Sequence, residues 1–206
     1  MIDIKNKALN EAITMQNDVM VKCFERYFDI LTARGYKNIS FEEYRTQELP
    51  SNKGYFRQYM ASAKIAYSMS DAFKIINKED KAYVFNPLKE FLSVPAAIDI
   101  IHNAGGIAIW AHPTIHRLSP TDLAQTVVKF KTMGIDGIEV YSPGIMHNEY
   151  ENILDLAYKH RLLISGGSDF HGKLNEELGV VQQGKNMPYS VLTELIAHHQ
   201  LRYSIK

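Results

Sequence analysis

The feature that most constrains the fold is a regular alternation of strand and helix patterns between residues 93 and 165. Short apolar runs with the composition of buried strands alternate with amphipathic helical patterns. The predicted strands are 107–111, 135–141 and 162–165, and the predicted helices are 94–103, 119–134 and one marked by Tyr150, Ile153, Leu154 and Ala157. Strands separated by single helices are joined by right-handed crossovers and lie parallel. The sequence therefore predicts an α/β fold for the C-terminal half.

Capping residues support these boundaries. Ser93 stands where an N-cap is needed for the first of these helices, and Gly105 follows its end. Ser119 is placed to cap the second helix, with Pro120 at its first position. Asp122, three residues after Ser119, completes a pair that resembles a capping box. The alternation is therefore punctuated by residues that start and stop helices.

Residues 1–92 carry a different pattern, helical and irregular, with further helical segments predicted at 55–66 and 71–77. Apolar residues recur at helical spacing in the first helical segment, 8–33: Met20, Phe24, Tyr27, Phe28 and Leu31. Tyr and Phe are also mixed with Lys and Arg throughout residues 1–92. Such a mixture would suit a nucleotide-stacking surface, but helix faces that pack on a neighbour use the same residues. We interpret it as packing. The predicted domains are a helical segment, 1–92, and an α/β part, 93–206.

Composition argues against a strongly basic nucleic-acid binder, a disulfide-stabilised protein and a membrane-spanning protein. Lys+Arg and Asp+Glu both number 23, so a general attraction to nucleic acid or anionic membranes is not indicated. The single cysteine, Cys23, cannot form an internal disulfide and fits a reducing compartment. We find no signal-peptide pattern and no apolar run near the ~20 residues that span a bilayer. These features predict a cytoplasmic globular protein.

Three residues that can bind metal follow the predicted strands. His112 follows strand 107–111, while Asp169 and His171 follow strand 162–165 after a Gly-Gly turn. Functional groups collect at the carboxyl ends of parallel strands, so these side chains should lie at one edge of the sheet. A lone histidine at a strand end is more often structural, but two such sites on one edge favour a ligand set. Imidazole with carboxylate suits Zn, Mn or Fe.

The motifs that carry these residues resemble the PHP (polymerase and histidinol phosphatase) superfamily. The segments are "GGIAIWAHP", "GIDGIEVY" and "LLISGGSDFHG", in this order and spacing; residues 66–84 also resemble the helical insertion of the nucleoside-bisphosphate phosphatase and 5′→3′ exoribonuclease branch. The resemblance implies His112, Asp169 and His171 as metal ligands. It also implies a (β/α)7 barrel with two or three Mn, Zn or Fe ions that hydrolyses phosphoesters through a metal-activated water.

The sequence departs from the family pattern at its start. The family's first motif, a His-x-His near the N-terminus, has no counterpart, because no histidine precedes His102. We therefore expect a partial barrel that holds the C-terminal strands, with 1–92 as an insertion-type segment. We expect such a chain to be a truncated frame, half of a split protein or a degenerate member. A second chain would then supply the N-terminal half of the barrel with the missing ligands, and the exposed sheet edges favour self-association.

Other candidates have weaker signals. The resemblance places Arg117 where the family often has a basic residue near phosphate, although a solvated loop arginine is equally consistent. His147 aligns with a loop histidine that would touch substrate or metal in this branch. Glu139 alternates with apolar neighbours and would face the barrel interior, in a supporting role or paired with a buried cation. His102 lies near the C-terminus of a predicted helix, where the helix dipole favours a positive charge, so its presence needs no functional role.

Two functions from different classes remain open on the sequence. The first is a metal-dependent phosphoesterase that acts on a nucleotide or short oligonucleotide, with Arg117 and His147 contacting substrate; this chain alone could be incomplete or inactive. The second is a non-catalytic remnant or subunit that binds a partner chain. A single-metal site of two histidines and one carboxylate is a weaker third interpretation.

Overall fold

The computed structural model describes residues 2–48, 51–68, 71, 75, 91–170, 177–181 and 184–203. The chain forms two compact units, one of Met1–Leu9 with Ser93–Lys206 and one of Asn10–Leu92. The first is the α/β unit and the second is the helical unit. The division at residue 92 into separate domains remains a prediction.

A parallel sheet lies at the centre of the α/β unit. Its described strands are β1 (Ile109–Trp110), β2 (Gly137–Tyr141) and β3 (Leu163–Gly166), in the order β1-β2-β3. Ile109 is opposite Gly137, and Ile138 is opposite Ile164. The predicted α/β class with parallel strands is confirmed.

The described helices follow the predicted order. They are α1 (Lys7–Ala33), α2 (Phe41–Arg45), α3 (Lys53–Ser62), α4 (Val94–Asn103), α5 (Pro120–Thr132), α6 (His147–Lys159) and α7 (Tyr189–Tyr203), with a short 3-10 helix at Pro113–His116. The predicted bounds of α4 are confirmed, and α5 begins one residue after its predicted cap. Most of the predicted helix 71–77 lies outside the described residues. None of the described helices is both long and apolar enough to cross a membrane.

The N-terminus of α5 has the predicted cap. Ser119 Oγ accepts a hydrogen bond from the Asp122 backbone N at 3.1 Å and donates one to Asp122 Oδ2 at 2.6 Å. One of the otherwise unpaired amides of the first turn is satisfied in this way.

Replacing Ser119 with alanine should lower the free energy of unfolding by about 1 kcal/mol, because the first turn of α5 then loses its side-chain acceptor. Chemical denaturation measures the change. Thr126→Ala is the matched control, since Thr126 lies within α5 and only donates to the Asp122 carbonyl. An S119A variant as stable as T126A would contradict the cap's contribution.

The core of the α/β unit lies around β2. Ile138 and Val140 are fully buried and belong to one apolar cluster with Val127 of α5 and Ile153 of α6. Because side chains alternate along a strand, Glu139 lies on the opposite face of β2 from these two residues. The core thus fixes the strand that carries Glu139.

At the amino end of β2, Asp136 joins three parts of the α/β unit. Its Oδ2 accepts a hydrogen bond from the Ala108 backbone N at 2.7 Å and lies 2.7 Å from His102 Nε2. Its Oδ1 pairs with the Arg202 guanidinium on α7. Burial by itself would raise the pKa of Asp136, but the Ala108 hydrogen bond and the contacts with His102 and Arg202 lower it below its ordinary value. His102 therefore has a structural partner that sequence analysis did not identify.

The helical unit has its own aromatic core. Phe24, Tyr27, Phe28 and Leu31 of α1 are buried in one cluster, and Met20 packs against it. The rings of Phe24 and Phe56 stack with centroids 4.6 Å apart. The predicted packing role of this stripe is confirmed.

Candidate active site

Two of the three predicted metal ligands meet at the carboxyl edge of the sheet. His112 follows β1 and Asp169 follows β3, and His112 Nε2 lies 3.8 Å from Asp169 Oδ1. Both side chains are about half exposed, at 44% and 51%. Strands at opposite sides of β2 therefore bring an imidazole and a carboxylate to one accessible place.

Glu139 contacts both the backbone and the ring of His112. Its Oε2 accepts a hydrogen bond from the His112 backbone N at 2.6 Å and lies 3.4 Å from His112 Nδ1. The Glu139 side chain is 12% exposed, so this carboxylate is largely removed from water. Glu139 is nearer to Nδ1, and less exposed to water, than Asp169 is to Nε2 at 3.8 Å, so the proton is favoured on Nδ1 and the Nε2 lone pair is left towards the cleft.

The backbone at this edge is strained. His112, Arg117 and Asp169 all have left-handed conformations, with φ of 49°, 48° and 48°. This region is unfavourable for residues other than glycine, and His112 also precedes Pro113. Such conformations persist where surrounding contacts hold them, as Glu139 does for His112.

Gly166 shapes the turn that carries Asp169. A Cβ at this position would stand 2.4 Å from the Tyr141 carbonyl oxygen, a contact that no side chain can make. The next amide, Gly167 N, donates to the same carbonyl at 2.9 Å. Glycine is needed here because β3 closes tightly against the end of β2.

The third predicted ligand, His171, lies outside the described residues. Within the described ranges, no group of three or more His, Cys, Asp or Glu side chains is close enough to hold a metal ion. The ligand set His112, Asp169 and His171 therefore remains a prediction.

A cleft of about 950 Å³ opens beside this pair, and we call it the main cleft. Its lining includes His112, Asp169 and Arg117, together with an apolar wall formed by Ile115, Ile145, Met146, Val180 and Val181. The Arg117 side chain is exposed and forms no hydrogen bond or ion pair with any residue in the described part of the chain. The predicted substrate-binding arginine thus lies in the same cleft as His112 and Asp169.

His147 occupies a different position. It is the first residue of α6, is 69% exposed, and its Nε2 lies 3.4 Å from Glu151 Oε1. It is not among the residues that line the main cleft. Its predicted contact with substrate or metal remains a prediction.

A tyrosine pair closes the carboxyl end of β2. The hydrogen bond between the Tyr141 and Tyr150 hydroxyls, 3.5 Å long, and burial raise the pKa of Tyr141 to about 12. The Tyr141 phenol therefore stays neutral at physiological pH and adds no charge near the site.

Comparison with known proteins gives sequence relatives that align with more than half of the chain. The 5′-3′ exoribonuclease Rnm of Escherichia coli is 34% identical over 119 residues, which cover 58% of this chain and 40% of the relative. The 3′,5′-nucleoside bisphosphate phosphatase of Chromobacterium violaceum is 27% identical over 121 residues, covering 58% and 41%. No family model matches the sequence.

Solved structures share the fold. A protein from Bifidobacterium adolescentis, described as a metal-dependent phosphoesterase, aligns with a TM-score of 0.69 at 21% identity over 95% of this chain and 68% of its own. An amidohydrolase from Chromobacterium violaceum, solved with sulfate and no metal, aligns with a TM-score of 0.67 at 23% identity over 95% and 69%.

The chain spans about two fifths of the length of the curated relatives named above. The predicted resemblance to PHP-like phosphoesterases is confirmed: the chain is similar in sequence to proteins named as a 5′-3′ exoribonuclease and a nucleoside bisphosphate phosphatase.

Proposed function

We propose that this chain takes part in metal-dependent hydrolysis of a phosphoester in a nucleotide or oligonucleotide. The observation that carries the proposal is the pairing of His112 Nε2 with Asp169 Oδ1, 3.8 Å apart, at the mouth of the main cleft. The activities named for the sequence relatives, an exoribonuclease and a nucleoside bisphosphate phosphatase, support the substrate class. Sulfate in one structural neighbour has the shape and charge of a phosphoryl group.

The donor set fits a divalent transition metal. Imidazole nitrogen with carboxylate oxygen suits Mn, Zn or Fe better than Mg or Ca, which prefer oxygen alone. His112, Asp169 and His171 would hold the ion. When bound, the metal supplies Lewis acidity that activates water and neutralises charge on the phosphoryl group.

The chain's own residues have separate tasks in this proposal. Glu139 keeps the His112 ring oriented, with Nε2 directed to the cleft. Arg117 binds phosphate oxygens through its guanidinium, which has donors suited to an oxyanion. The apolar wall reduces access of bulk water and strengthens these charged contacts.

The proposal also includes the finer architecture. The described strands would be the C-terminal strands of a (β/α)7 barrel, in a cytoplasmic protein. β1 and β3 are the edges of the described sheet, so a second chain or another copy would cover them.

Hydrolysis assays test the proposed function. Release of phosphate and mononucleotide from a nucleoside 3′,5′-bisphosphate and a 5′-phosphorylated oligoribonucleotide is measured with Mn²⁺ and with EDTA. We expect turnover with Mn²⁺ that is lost in Asp169→Asn and kept in Asp155→Asn, an exposed control on α6. Turnover that survives EDTA would refute the proposal. So would the absence of turnover in protein that has bound metal.

Arg117→Ala should raise the KM for a phosphorylated substrate about tenfold, because charge-assisted hydrogen bonds to the phosphate are lost. Arg117→Lys should recover part of the loss, since it keeps the charge without the planar fork. Arg161→Ala is the matched control: Arg161 is also exposed and left-handed, with φ of 51°, but lies before β3. Steady-state kinetics measure the three variants, and equal KM values for R117A and R161A would contradict the role.

A further inference from the structure

A second pocket of about 400 Å³ adjoins the main cleft. Thr114, Arg117 and Glu149 line both, so the two spaces meet at these residues. The rest of the second pocket is formed by Asn148 and Asn152 of α6 and by an apolar group, Pro113, Leu118, Pro120 and Leu123. Its volume lies within the range of about 300–1,000 Å³ that small-molecule sites occupy.

The polar groups of this pocket are available to a ligand. Asn148 and Asn152 are four residues apart, so their amides lie on one face of α6. Neither side chain hydrogen-bonds to another residue in the described ranges, although Asn152 is half-buried. A half-buried amide without a protein partner gains from a ligand that supplies one.

The walls and the charge narrow the ligand class. Pro113 and Leu123 are buried, and with Leu118 and Pro120 they offer apolar surface to the face of a flat ring. Arg117 and Glu149 carry opposite charges, so the pocket has no net charge that would attract a second phosphate. Glu149 is also engaged, since its carboxylate accepts a hydrogen bond from the Met146 backbone N at 2.9 Å. A planar, neutral group with donors and acceptors on its edge fits these features.

We infer that the second pocket binds the nucleobase of the nucleotide whose phosphate lies in the main cleft. The inference rests on the proposed function and adds a specificity site to it. Arg117, at the junction, would contact the phosphate while Asn148 and Asn152 contact the base edge. Asparagine amides are complementary to the N6 and N7 edge of adenine.

Binding to the metal-free protein tests this site without catalysis. NMR titrations in EDTA compare adenosine 5′-monophosphate with ribose 5-phosphate, which lacks the base. We expect the wild type to bind the nucleotide at least about tenfold more tightly, as two net hydrogen bonds would give. The double variant Asn148→Ala with Asn152→Ala should abolish this preference and leave ribose 5-phosphate binding unchanged.

The controls separate folding from recognition. Alanine has a higher helix propensity than asparagine, so the double variant should keep α6. Asn103→Ala, at the exposed end of α4, should bind as the wild type does. Equal affinity of the wild type for both ligands, or a preference that persists in the double variant, would overturn the inference.

The proposed function and the base site can each be overturned without the other. A base preference in EDTA, without metal binding or hydrolysis, would overturn the phosphoesterase proposal and keep the base site. Hydrolysis with metal, but without a base preference, would overturn the base site alone.

Discussion

Glu139→Gln should weaken Mn²⁺ or Zn²⁺ binding about 10–100-fold, the range typical when a carboxylate behind a ligating histidine is removed. Glutamine can still accept the His112 backbone hydrogen bond, so the left-handed backbone should persist. What is lost is the negative charge 3.4 Å from His112 Nδ1. Without it, the proton is no longer favoured on Nδ1, and Nε2 is less available to a metal.

Two readouts separate this effect from a change in folding. Isothermal titration gives the metal affinity, and ¹⁵N shifts of the His112 ring in the metal-free protein give its tautomer. We expect the Nδ1-protonated form in the wild type and a larger share of the Nε2-protonated form in E139Q. Asp155→Asn is the control, because that side chain is exposed on α6 and is not among the residues that line the main cleft. Wild-type affinity and tautomer in E139Q would contradict the positioning role.

Asp136→Ala should lower the free energy of unfolding by about 3 kcal/mol, because it breaks a largely buried ion pair and leaves the Arg202 guanidinium uncompensated. The Asp136 side chain is only 9% exposed, and its removal also takes the acceptor from the Ala108 amide. Chemical denaturation at pH 7 measures the loss. Asp99→Ala on the exposed face of α4 should change little.

The pH dependence gives this prediction a second check. The folded-state pKa of Asp136 is lowered, so its contribution is fully present above the unfolded pKa of about 3.9 and is lost as pH falls through the folded value. The stability difference between wild type and D136A should therefore be large at pH 7 and shrink below pH ~4. A difference that is small at pH 7, or constant down to low pH, would contradict the role of the ionised carboxylate.

The sequence was sufficient for features that depend on local signals. The cap at Ser119 is read from three residues, and the alternation of apolar runs and helices decides the parallel sheet. The meeting of His112 with Asp169 follows from that topology alone, because parallel strands end at one edge.

Contacts between distant residues could not be predicted in the same way. β1 is shorter than the predicted 107–111 because Asp136 Oδ2 takes the Ala108 amide and His112 turns left-handed. Glu139 was assigned a supporting role from alternation, but its partner could not be named. No local signal marks Asn148 and Asn152, whose shared pocket depends on how α6 packs beside the 3-10 helix.

Metal binding tests the central claim most directly. The purified protein is loaded with Mn²⁺ or Zn²⁺ and desalted, and its metal content is measured by elemental mass spectrometry for the wild type and for His112→Ala with Asp169→Ala. The account predicts stoichiometric metal in the wild type that is lost in the double variant, while both remain folded by circular dichroism. A folded wild type without metal, or equal metal in both proteins, would contradict it.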